Sequence, residues 1–241
     1  MKITIVTLFP HMFDGFLSES IIKRTIDKGL IEFKIVDLRE YSLDKHHHVD
    51  DTPYGGGAGM VLKCDIMDRC LEANKALNSH ICLMTPQGHQ YKQEDARRLS
   101  MLDDIILVCG HYEGFDERIR DYVDEEISIG DFVLTGGELP SMIISDSITR
   151  LLDGAILKDS YEGDSYSNGL LEYPQYTRPQ SYKGISVPVV LQNGNHKEIN
   201  RWRQKESLRR TYLRRPDLFE KYQMTKDDYK LLDEIKSEEE K

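Results

Sequence analysis

The sequence lacks the features of disulfide-bonded, secreted or membrane-spanning proteins. Its 241 residues include only four cysteines, none of them in a Cys-x-x-Cys pair, and no apolar run approaches the roughly 20 residues that cross a bilayer. The N-terminal segment Met1–Val6 is short and rich in β-branched residues, so it predicts a first strand rather than a signal peptide. These absences favour reduced core thiols and a cytoplasmic protein with no membrane partner.

Phosphate-binding glycine motifs are also missing. The segment Tyr54–Met60 is rich in glycine, but no Gly-Lys-Ser/Thr follows it, so it is not a P-loop. No Gly-x-Gly-x-x-Gly stands between a strand and a helix with an acidic residue about 20 residues later. An unrelated α/β enzyme that binds nucleoside triphosphates or dinucleotides is therefore disfavoured.

A run of three histidines, His46–His48, precedes Asp50 and Asp51. Adjacent side chains on a regular element point in different directions, so such a run rarely binds one ion. A polar loop near an anionic partner is the better interpretation, and we predict no metal site from the sequence.

Excess negative charge disfavours a sequence-independent nucleic-acid binder. The chain has 32 Lys and Arg against 42 Asp and Glu, a net charge of −10. The segment Lys197–Arg215 departs from this balance, because it holds eight lysines and arginines and only two glutamates. This basic segment predicts a local contact with a polyanion.

Strand and helix signals alternate over the first two-thirds of the chain, which predicts an α/β fold with a mostly parallel sheet covered by helices. Strands are predicted at Lys2–Leu8, Ile31–Asp37, His80–Met84, Asp104–Cys109 and within Glu126–Leu134. Helices are predicted at Met12–Lys28, Leu62–Leu77, Lys92–Ser100 and Leu139–Leu152. A segment rich in Tyr, Ser, Gly and Pro follows, and beyond Asn195 the pattern is helical throughout. The chain thus divides into residues 1–157, a flexible linker at 158–180 and a small all-helical domain at 181–241.

Three glycine-bearing segments, Thr85–Gly88, Cys109–Gly114 and Ser128–Pro140, lie at or near the ends of predicted strands. Ligands of α/β sheets bind outside the carboxyl ends of strands, and glycine lets a ligand approach the backbone. Each glycine alone could serve a tight turn, but three such segments at successive strand ends favour a shared small-molecule pocket.

Several motifs occur in an order that resembles one family. They are Leu8–Pro10 with Met12-Phe13, Tyr54–Met60, Pro86–Gly88, Gly110, Tyr112–Gly114, Asp116–Arg118, Ile129–Pro140, Gly169–Pro179, and Asn193–His196 leading into Trp202-Arg203. Together they resemble the bacterial tRNA (guanine-N1)-methyltransferases that modify guanine 37, in the SPOUT superfamily. The resemblance extends over nearly the whole chain.

The resemblance implies a deep C-terminal trefoil knot in the α/β domain, with S-adenosyl-L-methionine bound in the knot. It also implies a homodimer whose active sites lie at the subunit interface. The residues expected to bind the cofactor are Leu83, Thr85, Pro86, Gly88, Gly110, Glu113, Ile129, Gly130, Asp131, Phe132, Val133, Leu134, Gly136, Gly137 and Leu139.

By the same resemblance, Asp164 in the linker is the general base that removes the guanine N1 proton, and Arg150 stabilises charge on O6. The helical domain is expected to grip the tRNA anticodon stem-loop. The residues expected to contact tRNA are Gly55, Gly56, Gly57, Gly59, Glu172, Arg201, Arg203, Arg209 and Arg210. Glu172 stands where many relatives have Asp, and His111 where relatives often have Arg. The family's activity depends on Mg²⁺, but no ligand cluster in the sequence indicates a site.

Two other functions compete with this prediction. One is methylation of a different RNA position by an enzyme of the same superfamily, which the Gly169–Pro179 motif and the helical C-terminal domain disfavour. The other is a non-catalytic RNA-binding protein with a degenerate pocket, which the intact glycines of Ile129–Pro140 disfavour.

Overall fold

The computed structural model describes residues 1–157 and 164–239. The chain divides after Lys158 into two compact units, unit 1 (Met1–Lys158) and unit 2 (Asp159–Lys241). Of the linker predicted at 158–180, residues 158–163 lie outside the described part of the chain. No helix of the described residues is long and apolar enough to span a membrane.

Unit 1 is built on a five-stranded sheet. Its strands are β1 (Lys2–Thr7), β2 (Glu32–Asp37), β5 (His80–Gln90), β6 (Asp104–Val108) and β7 (Glu125–Ser128), in the spatial order β2-β1-β6-β5-β7. Every neighbouring pair in this sheet is parallel. The mostly parallel sheet expected from the sequence is therefore confirmed. Two short strands, β3 (Asp50–Asp51) and β4 (Val61–Leu62), pair with each other in antiparallel fashion.

Helices cover both faces of this sheet. They are α1 (Asp14–Ser18), α2 (Ser20–Asp27), α3 (Cys64–Asn74), α4 (Gln93–Ser100) and α5 (Glu138–Thr149). The central strand β6 is buried along its whole length. Its side chains alternate between two core clusters: Ile105 and Leu107 pack with Ile144 of α5, while Ile106 and Val108 belong to the cluster of α3. A strand buried on both faces explains why its sequence is an unbroken apolar run.

Two predicted elements of unit 1 differ from the structure by more than their end residues. The helix expected over Met12–Lys28 is interrupted, because Glu19 is extended and Ser20 has a positive φ of 55°. The strand expected at His80–Met84 continues to Gln90, and both Met84 and His89 pair with Ile127. Thr85–Gly88 is therefore an irregularity within β5 rather than a loop that ends it.

The described residues of unit 2 form three α-helices, α6 (His196–Arg214), α7 (Pro216–Phe219) and α8 (Lys226–Glu239), and a hairpin of two short strands, β8 (Ser181–Tyr182) and β9 (Ile185–Ser186). The Asn195 side chain caps α6 by accepting the Glu198 amide. The core of this unit is small: Leu208 of α6 packs with Leu231 and Ile235 of α8 and with Leu170.

Candidate active site

A pocket of about 460 Å³ lies beyond the carboxyl ends of β6 and β7, beside the irregular part of β5. Its walls come from the three glycine-bearing segments singled out in the sequence. The predicted cofactor-binding residues that line it are Thr85, Pro86, Gly110, Glu113, Ile129, Gly130, Phe132, Val133, Leu134, Gly136 and Gly137. The structure thus brings most of that predicted set together around one cavity.

Four predicted cofactor-binding residues lie elsewhere. The side chain of Leu83 is fully buried in the sheet core. Gly88 lies so close to β7 that an added Cβ would be 2.4 Å from the carbonyl carbon of Glu126. Asp131 and Leu139 are outside the lining, and the Leu139 side chain is 49% exposed. Their assignment to the cofactor stays a prediction.

Glycines 136 and 137 are required by close approach between two loops. A Cβ at Gly137 would lie 2.6 Å from the Cα of Cys109 and 2.8 Å from the Gly110 nitrogen. The Gly137 amide donates a hydrogen bond of 2.9 Å to the Gly110 carbonyl. A Cβ at Gly136 would lie 2.2 Å from Nε2 of His111. A side chain at Gly137 would push the pocket walls apart because it meets backbone, whereas one at Gly136 would displace the His111 and Glu138 side chains.

A buried carboxylate lies behind this wall and contacts His111, which lines the pocket. Glu138, at the first turn of α5, is 1% exposed. Its Oε1 accepts a hydrogen bond of 2.7 Å from the Thr7 hydroxyl, and its Oε2 lies 2.9 Å from Nε2 of His111. The Phe9 amide in turn donates to the Thr7 hydroxyl, and the Phe9 ring packs edge-on against His111. This network fixes the position of the loop after β6, because both carboxylate oxygens are engaged.

The glycine-rich loop Tyr54–Met60 reaches the same wall. The Glu113 amide donates to the Met60 carbonyl at 3.0 Å, and a Cβ at Gly59 would be 2.4 Å from Cγ of Glu113. All four glycines predicted to contact tRNA have φ between 76° and 136°; they are Gly55, Gly56, Gly57 and Gly59. Tyr54 at the start of this loop is fully exposed.

Sequence reasoning missed Arg120, a polar residue of the pocket that lies outside the three glycine-bearing segments. Arg120 lines it and donates a hydrogen bond of 2.9 Å to Oε1 of Gln87, which also lines it. Arg120 forms further ion pairs with Glu117 and Glu126. Arg120 lies in a charged stretch without glycine, so no pattern distinguished it from a surface residue.

A family model described as tRNA (Guanine-1)-methyltransferase TrmD matches residues 1–221. The chain belongs to this family. It is 54% identical to a tRNA (guanine-N(1)-)-methyltransferase of Lacticaseibacillus paracasei, over 99% of this chain and 95% of the relative. The enzymes of the same name from Fusobacterium nucleatum and Bacillus licheniformis are 55% and 52% identical, over 99% and 98% of this chain and the full length of each relative. The resemblance found in the sequence is thereby confirmed at the level of the family.

The two residues that the family resemblance assigns to catalysis belong to different units. Arg150 caps the C-terminal end of α5, and its amide donates to the Asp146 carbonyl at 3.1 Å. Asp164 is the first described residue of unit 2, and its carbonyl accepts the Ser167 amide at 3.1 Å. Both side chains are half-buried. Their catalytic roles stay predictions.

Part of the basic segment of α6 is occupied by ion pairs within unit 2. Lys205 lies 3.0 Å from Glu234 and 2.7 Å from Glu238 of α8. Of the residues predicted to contact tRNA, Arg201 pairs with Glu234, and Arg209 pairs with acidic residues of α6 and α8, namely Glu206, Glu238 and Glu239.

Two other residues predicted to contact tRNA touch each other: Nη1 of Arg210 donates to the Glu172 carbonyl at 3.3 Å. With the ion pairs of α6 and α8, this contact means that several cations of the segment already have protein partners. The local charge is therefore lower than the sequence alone suggests.

Among the described residues, one group has metal-ligating atoms in mutual reach: His80, Cys82 and Glu125, all within 4.8 Å. Oε2 of Glu125 is already paired with Arg98 at 2.8 Å, and burial raises the pKa of the Cys82 thiol. An imidazole and a thiol are poor ligands for Mg²⁺, which prefers oxygen. This group does not fit the magnesium ion that the family resemblance implies, and no reaction step is assigned to it.

Proposed function

We propose that this chain methylates N1 of guanine 37 in tRNA, next to the anticodon, using S-adenosyl-L-methionine. The observation that carries the proposal is the 460 Å³ pocket, whose walls are three glycine-bearing segments of a chain in the tRNA (guanine-1)-methyltransferase family. The relatives with the same full-length alignment are named for methylation of guanine N1 in tRNA.

The pocket fits the proposed cofactor in size and lining. Its volume lies within the range of about 300–1,000 Å³ found for small-molecule sites. Phe132 and Val133 supply apolar surface for an adenine ring, while the backbone of Gly110 and Gly136, which also lines the pocket, supplies polar groups for its edge. Bound there, the cofactor supplies an electrophilic methyl group on a sulfonium.

The fold implied by the family supports this placement. In the proposed SPOUT fold, the segment Ser128–Pro140 belongs to a deep trefoil knot that surrounds the cofactor. The close packing of Gly137 on Cys109 and Gly110 is consistent with such a fold, because two loops must pass at backbone contact distance. The helical unit that follows is proposed to grip the anticodon stem-loop.

The proposed chemistry needs a base and a cation. Guanine N1 carries a proton at neutral pH, so it is a poor nucleophile until that proton is removed. We assign this removal to the Asp164 carboxylate, and we assign Arg150 to stabilising the negative charge that develops on O6. A guanidinium suits that role because it stays protonated and can donate to O6 from a fixed plane.

The active form is proposed to be a homodimer. Several large apolar side chains are exposed on the Ser128–Pro140 segment and on α5, including Val133 at 86% and Ile143 at 49% exposure. Phe132, Leu134 and Leu139 extend the same exposed set. An apolar surface beside a functional pocket is typical of an interaction site, and a second copy of this chain is the proposed partner.

Methylation of tRNA transcripts that differ at positions 36 and 37 tests the proposal. We expect methyl transfer only to transcripts with guanine at position 37, with the product mapped by nuclease digestion and mass spectrometry. Modification at another nucleotide would instead support a different RNA target within the superfamily. Tight tRNA binding without calorimetric binding of S-adenosylmethionine would support the non-catalytic RNA-binding function.

A further inference from the structure

A second pocket, of about 240 Å³, lies within unit 2 and takes no part in the chemistry proposed above. The residues that matter for the argument are Asn168, Tyr173, Asn200, Arg203, Gln204 and Ser207. The last four follow one another at helical spacing along one face of α6. Asn168 and Tyr173 come from the irregular segment that precedes the hairpin.

Arg203 is the unusual member of this pocket. Its guanidinium carbon lies 4.9 Å from the centre of the Tyr173 ring. Its Nε is buried and has no hydrogen-bond partner within the described residues. Its neighbours Arg201, Lys205 and Arg209 all pair with α8, whereas no ion pair of Arg203 is found in the described part of the chain. No hydrogen bond from any nitrogen of this guanidinium to a described residue is found, so its accessible donors are suited to an external acceptor.

The amides around Arg203 provide both donors and acceptors. The Asn168 carbonyl oxygen accepts the Leu170 amide at 3.1 Å, while its NH₂ group has no partner in residues 1–157 and 164–239. The Gln204 NH₂ group donates to Asp228 at 2.8 Å and to the Tyr222 hydroxyl at 3.3 Å, which fixes the amide plane. A ligand with acceptors and donors on one flat edge matches this set better than a phosphate, which at neutral pH offers acceptors only.

We propose that this pocket binds one unstacked guanine base of the tRNA substrate. The inference rests on the proposed function, since it needs tRNA to be the ligand of unit 2. Arg203 would donate to O6 and N7 of the base, the pairing by which arginine reads guanine, while the Asn168 and Asn200 amides contact the remaining polar edge. A volume of about 240 Å³ admits one base, and single-stranded RNA is read through bases that leave their stack.

The test measures how the full-length protein binds tRNA transcripts in which each unpaired guanosine, in turn, is replaced by 7-deazaguanosine. This change removes the N7 acceptor and leaves the backbone intact. With the unaltered protein, we expect the replacement at one position other than the methylated guanine to raise the Kd at least about fivefold. This lies within the range of about 1–3 kcal/mol for a bidentate base contact. With Arg203→Gln, that position should show no additional loss.

Two variants control for charge and folding. Arg203→Lys keeps the charge but not the fork of donors, so it should also abolish sensitivity to the deaza position. Lys197→Gln removes an exposed cation of the same helix and should weaken all transcripts by one common factor. If Arg203→Gln lowers the melting temperature and cannot be assayed, Arg203→Lys provides the same comparison.

The inference is wrong if no deaza position affects the unaltered protein, or if Arg203→Gln and Arg203→Lys remain as sensitive to that position as the unaltered protein. If Arg203→Gln weakens the binding of all transcripts by one common factor, Arg203 contacts a phosphate rather than a base. Methylation of the same transcripts separates this failure from failure of the proposed function. If the protein methylates guanine 37 but the 7-deazaguanosine effect does not depend on Arg203, only the guanine pocket is disproved.

Discussion

The Thr7 hydroxyl donates a hydrogen bond of 2.7 Å to the Glu138 carboxylate, a contact between residues 131 positions apart in the chain. It joins the end of β1 to the first turn of α5, and His111 at 2.9 Å brings in the loop after β6. Three elements that are remote in sequence are thus held at one wall of the 460 Å³ pocket. Contacts within the protein hold this wall in place, which reduces the ordering that ligand binding requires.

Thr7→Val is expected to lower the free energy of unfolding by about 1–3 kcal/mol, because Glu138 loses a donor while staying buried. The valine has nearly the same shape, so packing changes little. Urea denaturation followed by circular dichroism measures the effect. Thr52→Val, at an exposed threonine, is the matched control and should change little. Equal stability of the two variants would mean that the Thr7–Glu138 bond contributes nothing.

Gly137→Ala is expected to weaken S-adenosylmethionine binding at least about tenfold, or about 1.4 kcal/mol. The added methyl group would meet the backbone of Cys109 and Gly110 at less than 3 Å, so the two pocket walls must separate. Isothermal titration calorimetry measures the change. Gly15→Ala serves as the control, because nothing lies within 4 Å of a Cβ there. Unchanged affinity in Gly137→Ala would place the cofactor elsewhere.

The sheet and the pocket were largely predictable, because both depend on local pattern. The hydrophobic pattern locates three strands, β1, β2 and β6, to within one residue, whereas β5 continues six residues beyond its predicted end. The pocket loops carry glycine where the backbone must approach closely, as at Gly137. The break at Ser20 was not predictable, because a positive φ at a serine leaves no mark in the hydrophobic pattern.

The ion pairs of the basic segment also could not be predicted from the sequence. Arg201 and Arg209 have acidic neighbours at helical spacing, but their main partners lie 29 to 33 residues later in α8. Which charges meet depends on how α8 packs through Leu231 and Ile235 on Leu208. A count of charges along the chain cannot separate cations paired in this way from Arg203, which packs on Tyr173 instead.

Asp164→Asn is expected to slow single-turnover methylation by about 10²–10⁴-fold, the usual contribution of a general base. Binding of S-adenosylmethionine should be unaffected, because unit 1 holds the pocket assigned to it. Asp153→Asn, at an exposed aspartate, is the matched control and should keep the full rate. A near-normal rate in Asp164→Asn would exclude it as the base that removes the N1 proton.

Ile143→Glu is expected to convert a dimer into monomers with little methylation activity. Ile143 is 49% exposed on α5, one helical turn after Leu139, and a charge there would have to be buried in the proposed interface. Sedimentation velocity gives the oligomeric state. Leu77→Glu is the control, since Leu77 is a fully exposed leucine outside the apolar set on α5 and Ser128–Pro140. Monomers in the unaltered protein, or dimers in Ile143→Glu, would each rule out this interface.

The ion pairs between α6 and α8 predict a loss of stability in acid. Lys205 and Arg201 hold the pKa of Glu234 below its ordinary value of 4.5, and Lys205 and Arg209 do the same for Glu238. Because the pKa is lower in the folded state, the stabilisation is complete above about pH 4.5 and disappears as the pH falls through the folded values.

The double variant Glu234→Gln/Glu238→Gln should therefore unfold at lower urea than the unaltered protein near pH 7, and should lose less stability between about pH 5 and pH 3. Glu220→Gln, at an exposed glutamate of the same unit, should follow the unaltered protein. The same double variant frees Lys205 and Arg201, while Arg209 keeps Glu206 and Glu239, so its RNA affinity should rise and depend more steeply on salt. If neither the acid sensitivity nor the salt dependence changes, the pairs are surface contacts without energetic weight, and the cations of α6 are available to RNA with α8 in place.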